Sequence, residues 1–142
     1  MLKKIVLGVV IVGVVGFVVM QLVPYGKNKT NPPVITEPKW DSAQTRTLAE
    51  QACFGCHSNE TIWPWYSHVA PASWLVYKDV VEGRNEFNFS NWGEQPEKYK
   101  KLAEMINEGF MPPKQYLLMH PEAQLTATQK QQFLSGLQKT IE

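Results

Sequence analysis

Two cysteines and a histidine fall within five residues, Cys53-Phe54-Gly55-Cys56-His57, and the chain has no other cysteine. Thiols two residues apart, followed at once by an imidazole, form the C-x-x-C-H pattern of covalent c-type haem attachment. The spacing has a chemical reason. Two thiols add across the two vinyl groups of the macrocycle, and the next residue sets an imidazole under the iron, which makes His57 the proximal axial ligand. The cofactor expected is one haem c, held through Cys53 and Cys56. Two competing chemistries are weaker. A thioredoxin-like C-x-x-C wants a βαβ context, and none follows. Zinc needs two further ligands at suitable spacing, and the remaining histidines, His68 and His120, form no paired motif.

Iron offers a second axial position. In Gly109-Phe110-Met111-Pro112-Pro113 the proline biases Met111 away from helical geometry, so a loop presents the methionine side chain. A thioether is a soft ligand suited to haem iron, and Met/His ligation raises the reduction potential. Met111 is therefore the expected distal ligand. His120, in Met119-His120-Pro121, is its rival, and Met105 reads as packing. The segment Trp63-Pro64-Trp65-Tyr66 gathers three large rings, which serve core packing or, at Trp63 and Trp65, line a haem edge. Arg84 is a candidate for a haem propionate, with an ordinary surface role or a neighbouring glutamate as the alternative. The proximal imidazole N–H needs a backbone carbonyl, expected near Pro64 or Pro71.

Helices must position these groups. Asp41 or Ser42 caps a helix running to about Ala52, with Ala43, Leu48, Ala49 and Ala52 as its apolar stripe. Residues 71–82 predict a second helix, Pro71 at its start and Gly83 just past its end. Residues 85–92 read as a loop that tucks Phe87, Phe89 and Trp92 inward. Residues 96–108 predict a third helix, opened by Pro96 and stopped by Gly109, with Tyr99, Leu102, Ala103 and Ile106 on one face and Lys98, Lys100 and Lys101 in solvent. Thr126 and Gln129 form a capping box before a last helix with Phe133, Leu134, Leu137 and Ile141 inside.

Ahead of this body, residues 5–23 run without a charge, at about 1.5 Å per residue close to the thickness of a bilayer's hydrocarbon layer. Residues 1–23 are expected to be a transmembrane anchor or uncleaved signal sequence, because no A-x-A-like cleavage site follows. Residues 24–39, with four prolines, read as a linker without packed structure. Residues 40–142 form the haem-carrying domain. The chain's net charge is +1 and no basic face stands out, so no nucleic-acid partner is expected.

Order and spacing resemble class I cytochrome c. More specifically, the chain resembles a small bacterial haem-binding domain family that joins a C-x-x-C-H-S-N start to a W-P-W-Y segment. The residues carrying the resemblance are 53–59, 63–66, 70–75, 79–84, 88–92, 111–113, His120-Pro121 and Leu125-Thr126. The resemblance implies an all-α, cytochrome c-like small helical domain around one covalent haem, here preceded by a single transmembrane helix. The expected function is one-electron transfer between extracytoplasmic redox partners, membrane-bound or periplasmic, by a protein that is not an enzyme, with room left for weak peroxidase-like activity. The expected location is the bacterial inner membrane, single-pass, with the haem domain outside the cytoplasm. The alternative is a haem-based sensor or ligand-binding module with a displaceable distal ligand.

Overall fold

The computed structural model describes residues 1–93 and 96–141, with side chains throughout except at 96–99 and 141. Tyr99 and Ile141, expected on apolar stripes, and Lys98, expected in solvent, therefore have side chains outside the described set. Among the described residues the fold is all-helical. The α-helices are α1 (Leu2–Leu22), α2 (Ala43–Ala52), α3 (Phe54–His57), α4 (Ala72–Glu86), α5 (Pro96–Asn107), α6 (Lys114–Met119) and α7 (Ala127–Ile141). An isolated parallel bridge joins Thr36 to Asn91. Two compact units divide the chain: Met1–Thr30 with Trp63–Asp79, and Asn31–Ile62 with Val80–Glu142.

In the first unit α1 is long and apolar enough to cross a membrane, and none of its residues is buried. Gln21 joins its last turn to the backbone of Ala70. Tyr25 meets Tyr77 edge-on at 5.3 Å. Gly26, at φ +77°, lies so close to α4 that a Cβ there would stand 2.7 Å from the Ser73 carbonyl oxygen, so this turn needs glycine for both reasons.

The second unit holds the core, built from Leu48, Ala49, Phe54, Phe87, Phe89, Leu102, Ile106, Phe133 and Leu137. α2 starts where Ser42 Oγ accepts the Thr45 N–H at 3.2 Å, which satisfies a donor that has no partner within the helix. Its buried face is Thr45, Leu48, Ala49 and Ala52. Ala43, expected inside, is exposed. Thr45 replaces it because α2 crosses α7 there, directly against Gly136. The capping box of α7 forms as read: Gln129 Oε1 accepts the Thr126 N–H at 2.9 Å, and Thr126 Oγ1 accepts the Gln129 N–H at 3.2 Å. Gly109, at φ +77°, follows α5 as its stop.

Two expectations are corrected. Gly83 lies inside α4, which continues to Glu86. A Cβ at Gly83 would stand 2.6 Å from the Cys56 carbonyl oxygen, so the glycine serves a close crossing rather than a helix end. The later part of the supposed unpacked linker is packed. Ser90 O accepts from Ile35 N (2.8 Å) and Thr36 N (3.2 Å), and Trp92 N donates to Thr36 O at 2.9 Å. Asn59 Nδ2 donates to Pro33 O at 2.8 Å, and Pro38 is buried. Glu37 takes the Arg46 guanidinium through two 2.9 Å hydrogen bonds.

Candidate functional site

The motif closes into one helical turn, because Cys53 O accepts the amides of Cys56 (3.1 Å) and His57 (2.9 Å). Two segments of the second unit pack on it. α4 passes over Cys56 at Gly83. The Phe87–Phe89 segment brackets His57: Phe89 N donates to His57 O at 2.8 Å, and the Phe87 ring stacks on the imidazole at 4.2 Å and 10°. Behind the motif, Arg84 Nε donates to Ser58 O at 2.8 Å, and its Nη2 reaches Asn31 Oδ1 (2.7 Å) and Thr61 Oγ1 (3.0 Å). Asn59, Asn88 and Ser90 interlock, with Asn59 N on Ser90 Oγ at 2.9 Å and Asn88 Nδ2 on Asn59 Oδ1 at 2.8 Å.

His57 is the best-defined group. Its Nδ1 lies 2.9 Å from Gly83 O and 3.3 Å from Phe87 O. Both partners only accept, so Nδ1 carries the proton and Nε2 is left with its lone pair. Burial holds the imidazole below its ordinary pKa, against the opposite pull of the Phe87 and Gly83 carbonyls and of Glu86. His57 is therefore neutral near pH 7 and able to ligate through Nε2. The acceptors are carbonyls of α4 and the residue after it, so neither Pro64 nor Pro71 marks them.

A cavity of about 320 Å³ opens beside this imidazole, a volume typical of cofactor sites. Its lining brings together Cys53, His57 and Met111, three of the residues chosen from sequence, with apolar walls from Leu102, Ile106, Leu117, Leu125 and Phe133. Among the described residues the lining also holds Lys114 and Lys130 and no carboxylate. Sequence reading missed these lysines, because an isolated lysine carries no local sign of the face it serves.

The other candidates stand elsewhere. Arg84 is not part of the lining, and its guanidinium clamps the chain after the motif instead of reaching into the cavity. His120 is also outside the lining. Its Nδ1 lies 2.9 Å from Glu122 Oε1, and its ring stacks on Tyr116 at 4.3 Å. Trp63 and Trp65 belong to the first unit. There Trp65 is exposed, and the buried Trp63 indole N–H has no hydrogen-bond partner.

The Cys53 thiol lacks the depressed pKa of an exchange-active cysteine. Burial and the neighbouring Cys56 push it up to about 12. Among the described residues no group of three or more His, Cys, Asp or Glu is placed to hold a metal ion by itself.

The family model described as a haem-binding domain matches residues 15–139. The chain belongs to this haem-binding domain family. No curated protein and no solved structure matches it. The donor set of the haem-binding domain fits its cofactor. A neutral imidazole with Nε2 available and a thioether share an apolar cavity, two thiols stand at the motif, and two ammonium groups suit the propionates.

Proposed function

We propose that this chain is a membrane-anchored, mono-haem c-type cytochrome that carries single electrons and catalyses no reaction of its own. The supporting observation is the pairing of His57, fixed with Nδ1 protonated, and Met111 in the lining of one apolar cavity. Haem supplies a one-electron ferric/ferrous couple when bound. The Cys53 and Cys56 thiols would hold the macrocycle covalently, by addition of each S–H across a vinyl group. His57 Nε2 and Met111 Sδ would hold the iron from the cavity they share. The Gly83 carbonyl keeps the imidazole oriented through both oxidation states. Leu102, Ile106, Leu125 and Phe133 would keep water from a bound haem, which would limit reorganisation. Lys114 and Lys130 pair with the propionates. α1 anchors the chain in the inner membrane with the body outside the cytoplasm, where membrane-bound or periplasmic redox proteins are its partners.

The test is spectroscopic, after expression with a c-type maturation system. A pyridine haemochrome of thioether type on denatured protein is expected, and its absence refutes covalent attachment. The oxidised protein should show a methionine–iron charge-transfer band that Met111→Ala abolishes and His120→Ala retains. Ready carbon monoxide binding by the reduced wild type would instead favour a sensor with a displaceable distal ligand.

A further inference from the structure

In the first unit the end of the apolar helix is hydrogen-bonded to both backbone groups of Ala70. Gln21 Nε2 donates to Ala70 O at 3.1 Å, and Ala70 N donates back to Gln21 Oε1 at 2.9 Å. The same Nε2 also reaches Phe17 O at 3.0 Å. Gln21 is one residue from the end of α1, so Ala70 stands at the level where the apolar span stops. Ala70 is buried, as are Ser67 and Ser73, so this contact is packed. Trp65 precedes Ala70 by five residues, four of them in the 3-10 turn Trp65–His68. At about 2 Å per residue in such a turn and about 3.3 Å in extended chain, Trp65 lies within roughly 13 Å of Ala70. A bilayer's headgroup layer is about 5–8 Å deep on each side of the hydrocarbon. Trp65 is therefore within reach of that layer.

The surface here has matching chemistry. Trp65 is 75% exposed, while the other four tryptophans are all at least partly buried. Tyr25 and Leu75, in the same unit, are about half exposed. Tryptophan and tyrosine favour the headgroup level because each ring has an apolar body and a polar tip. Charge separates along the same division. The first unit carries five lysines against one carboxylate, Asp79, while the second carries nine Lys/Arg and twelve Asp/Glu. Lys27, Lys29 and Lys78 all follow the apolar span, the side on which Trp65 stands. Lysines just beyond a span attract anionic phosphates.

We infer that Trp65, with Tyr25, Leu75 and the lysines at 27, 29 and 78, is seated in the phospholipid headgroup layer of the membrane that α1 spans. The first unit is then a lipid-bound platform. This rests on α1 being a retained span, and the experiment separates the two. Full-length holoprotein is placed in nanodiscs of phosphatidylcholine and phosphatidylglycerol brominated near the headgroup, and quenching of tryptophan emission is compared with unbrominated discs. Trp65→Phe should lower the lipid-quenchable emission at least twofold, while Trp40→Phe leaves it in place. Replacing phosphatidylglycerol by phosphatidylcholine should reduce quenching in the wild type only. Release of the wild-type chain from membranes by alkaline carbonate overturns the retained span and the seat with it. A chain that resists carbonate, yet whose Trp65→Phe variant is quenched like wild type, overturns the seat alone.

Discussion

Replacing Gly83 by alanine sets two physical effects of opposite sign against each other. Helix propensity favours alanine over glycine in a helix interior by about 1 kcal/mol, so local reasoning expects stabilisation. The crossing with the motif says otherwise. The new Cβ would lie 2.6 Å from the Cys56 carbonyl oxygen and 3.1 Å from Cys56 Cβ, where ordinary contact starts at 3.4 Å. The overlap of 0.8 Å with the oxygen involves backbone on both sides, and neither can swing away as a side-chain tip does. Overpacking of this kind costs about 1–3 kcal/mol, and the oxygen contact places Gly83→Ala toward the upper end. The net expectation is a loss of about 1–2 kcal/mol. Relief by lifting α4 would lengthen the 2.9 Å bond between Gly83 O and His57 Nδ1, so covalent haem per chain should fall too. Urea unfolding should show a lower midpoint at unchanged slope, and pyridine haemochrome per milligram should drop. A Gly83→Ala protein as stable as wild type, with full haem content, would refute the close crossing.

Gly136→Ala places a Cβ into Thr45 Oγ1 and 2.9 Å from Asp41 Oδ1 where α7 meets α2. It should cost about 2 kcal/mol, and Thr45→Ala in the same chain should recover part of that, read from a double-mutant cycle of thermal unfolding. For Glu37, the Arg46 hydrogen bonds hold the carboxyl below its usual range. The unfolded chain then binds more protons in acid, so the contribution is full above about pH 4.5 and fades as pH falls through the lowered native value. Glu37→Gln should cost about 1 kcal/mol near pH 7 and nothing well below pH 4; an equal loss at both ends of a urea-unfolding pH series would contradict the pairing.

That Cys53, His57 and Met111 line one cavity was legible because their signals are local. Two thiols and an imidazole in five residues define the motif, and a proline after Met111 turns that methionine out of a helix. The helices were legible through caps and stripes, as at Ser42 and in the reciprocal Thr126–Gln129 pair. What escaped depends on partners distant in the chain. A glycine near the end of a periodic pattern reads as a stop, and only the neighbour brought in by folding makes Gly83 a contact point. Thr45 is buried because Gly136, ninety-one positions later, leaves room for it. Prolines announce extended chain, yet the carbonyls and amides of residues 33–36 found partners at Asn59, Ser90 and Trp92. Arg84 looked like a ligand for a carboxylate because a guanidinium suits one, but its directional donors suit the Ser58 carbonyl equally.

The groups that hold His57 by Nδ1 are both peptide carbonyls, at positions 83 and 87. A codon change alters a side chain and leaves the peptide oxygen where it was. No single replacement at either position deletes an acceptor outright. A mutational scan would register Gly83 as a limit on size and Phe87 as a demand for a flat ring, and would stay blind to the polar contact beneath both. Evolution can shift these two acceptors only by moving the backbone, and an experimenter who wants the oxygen itself removed must alter the backbone by chemical synthesis.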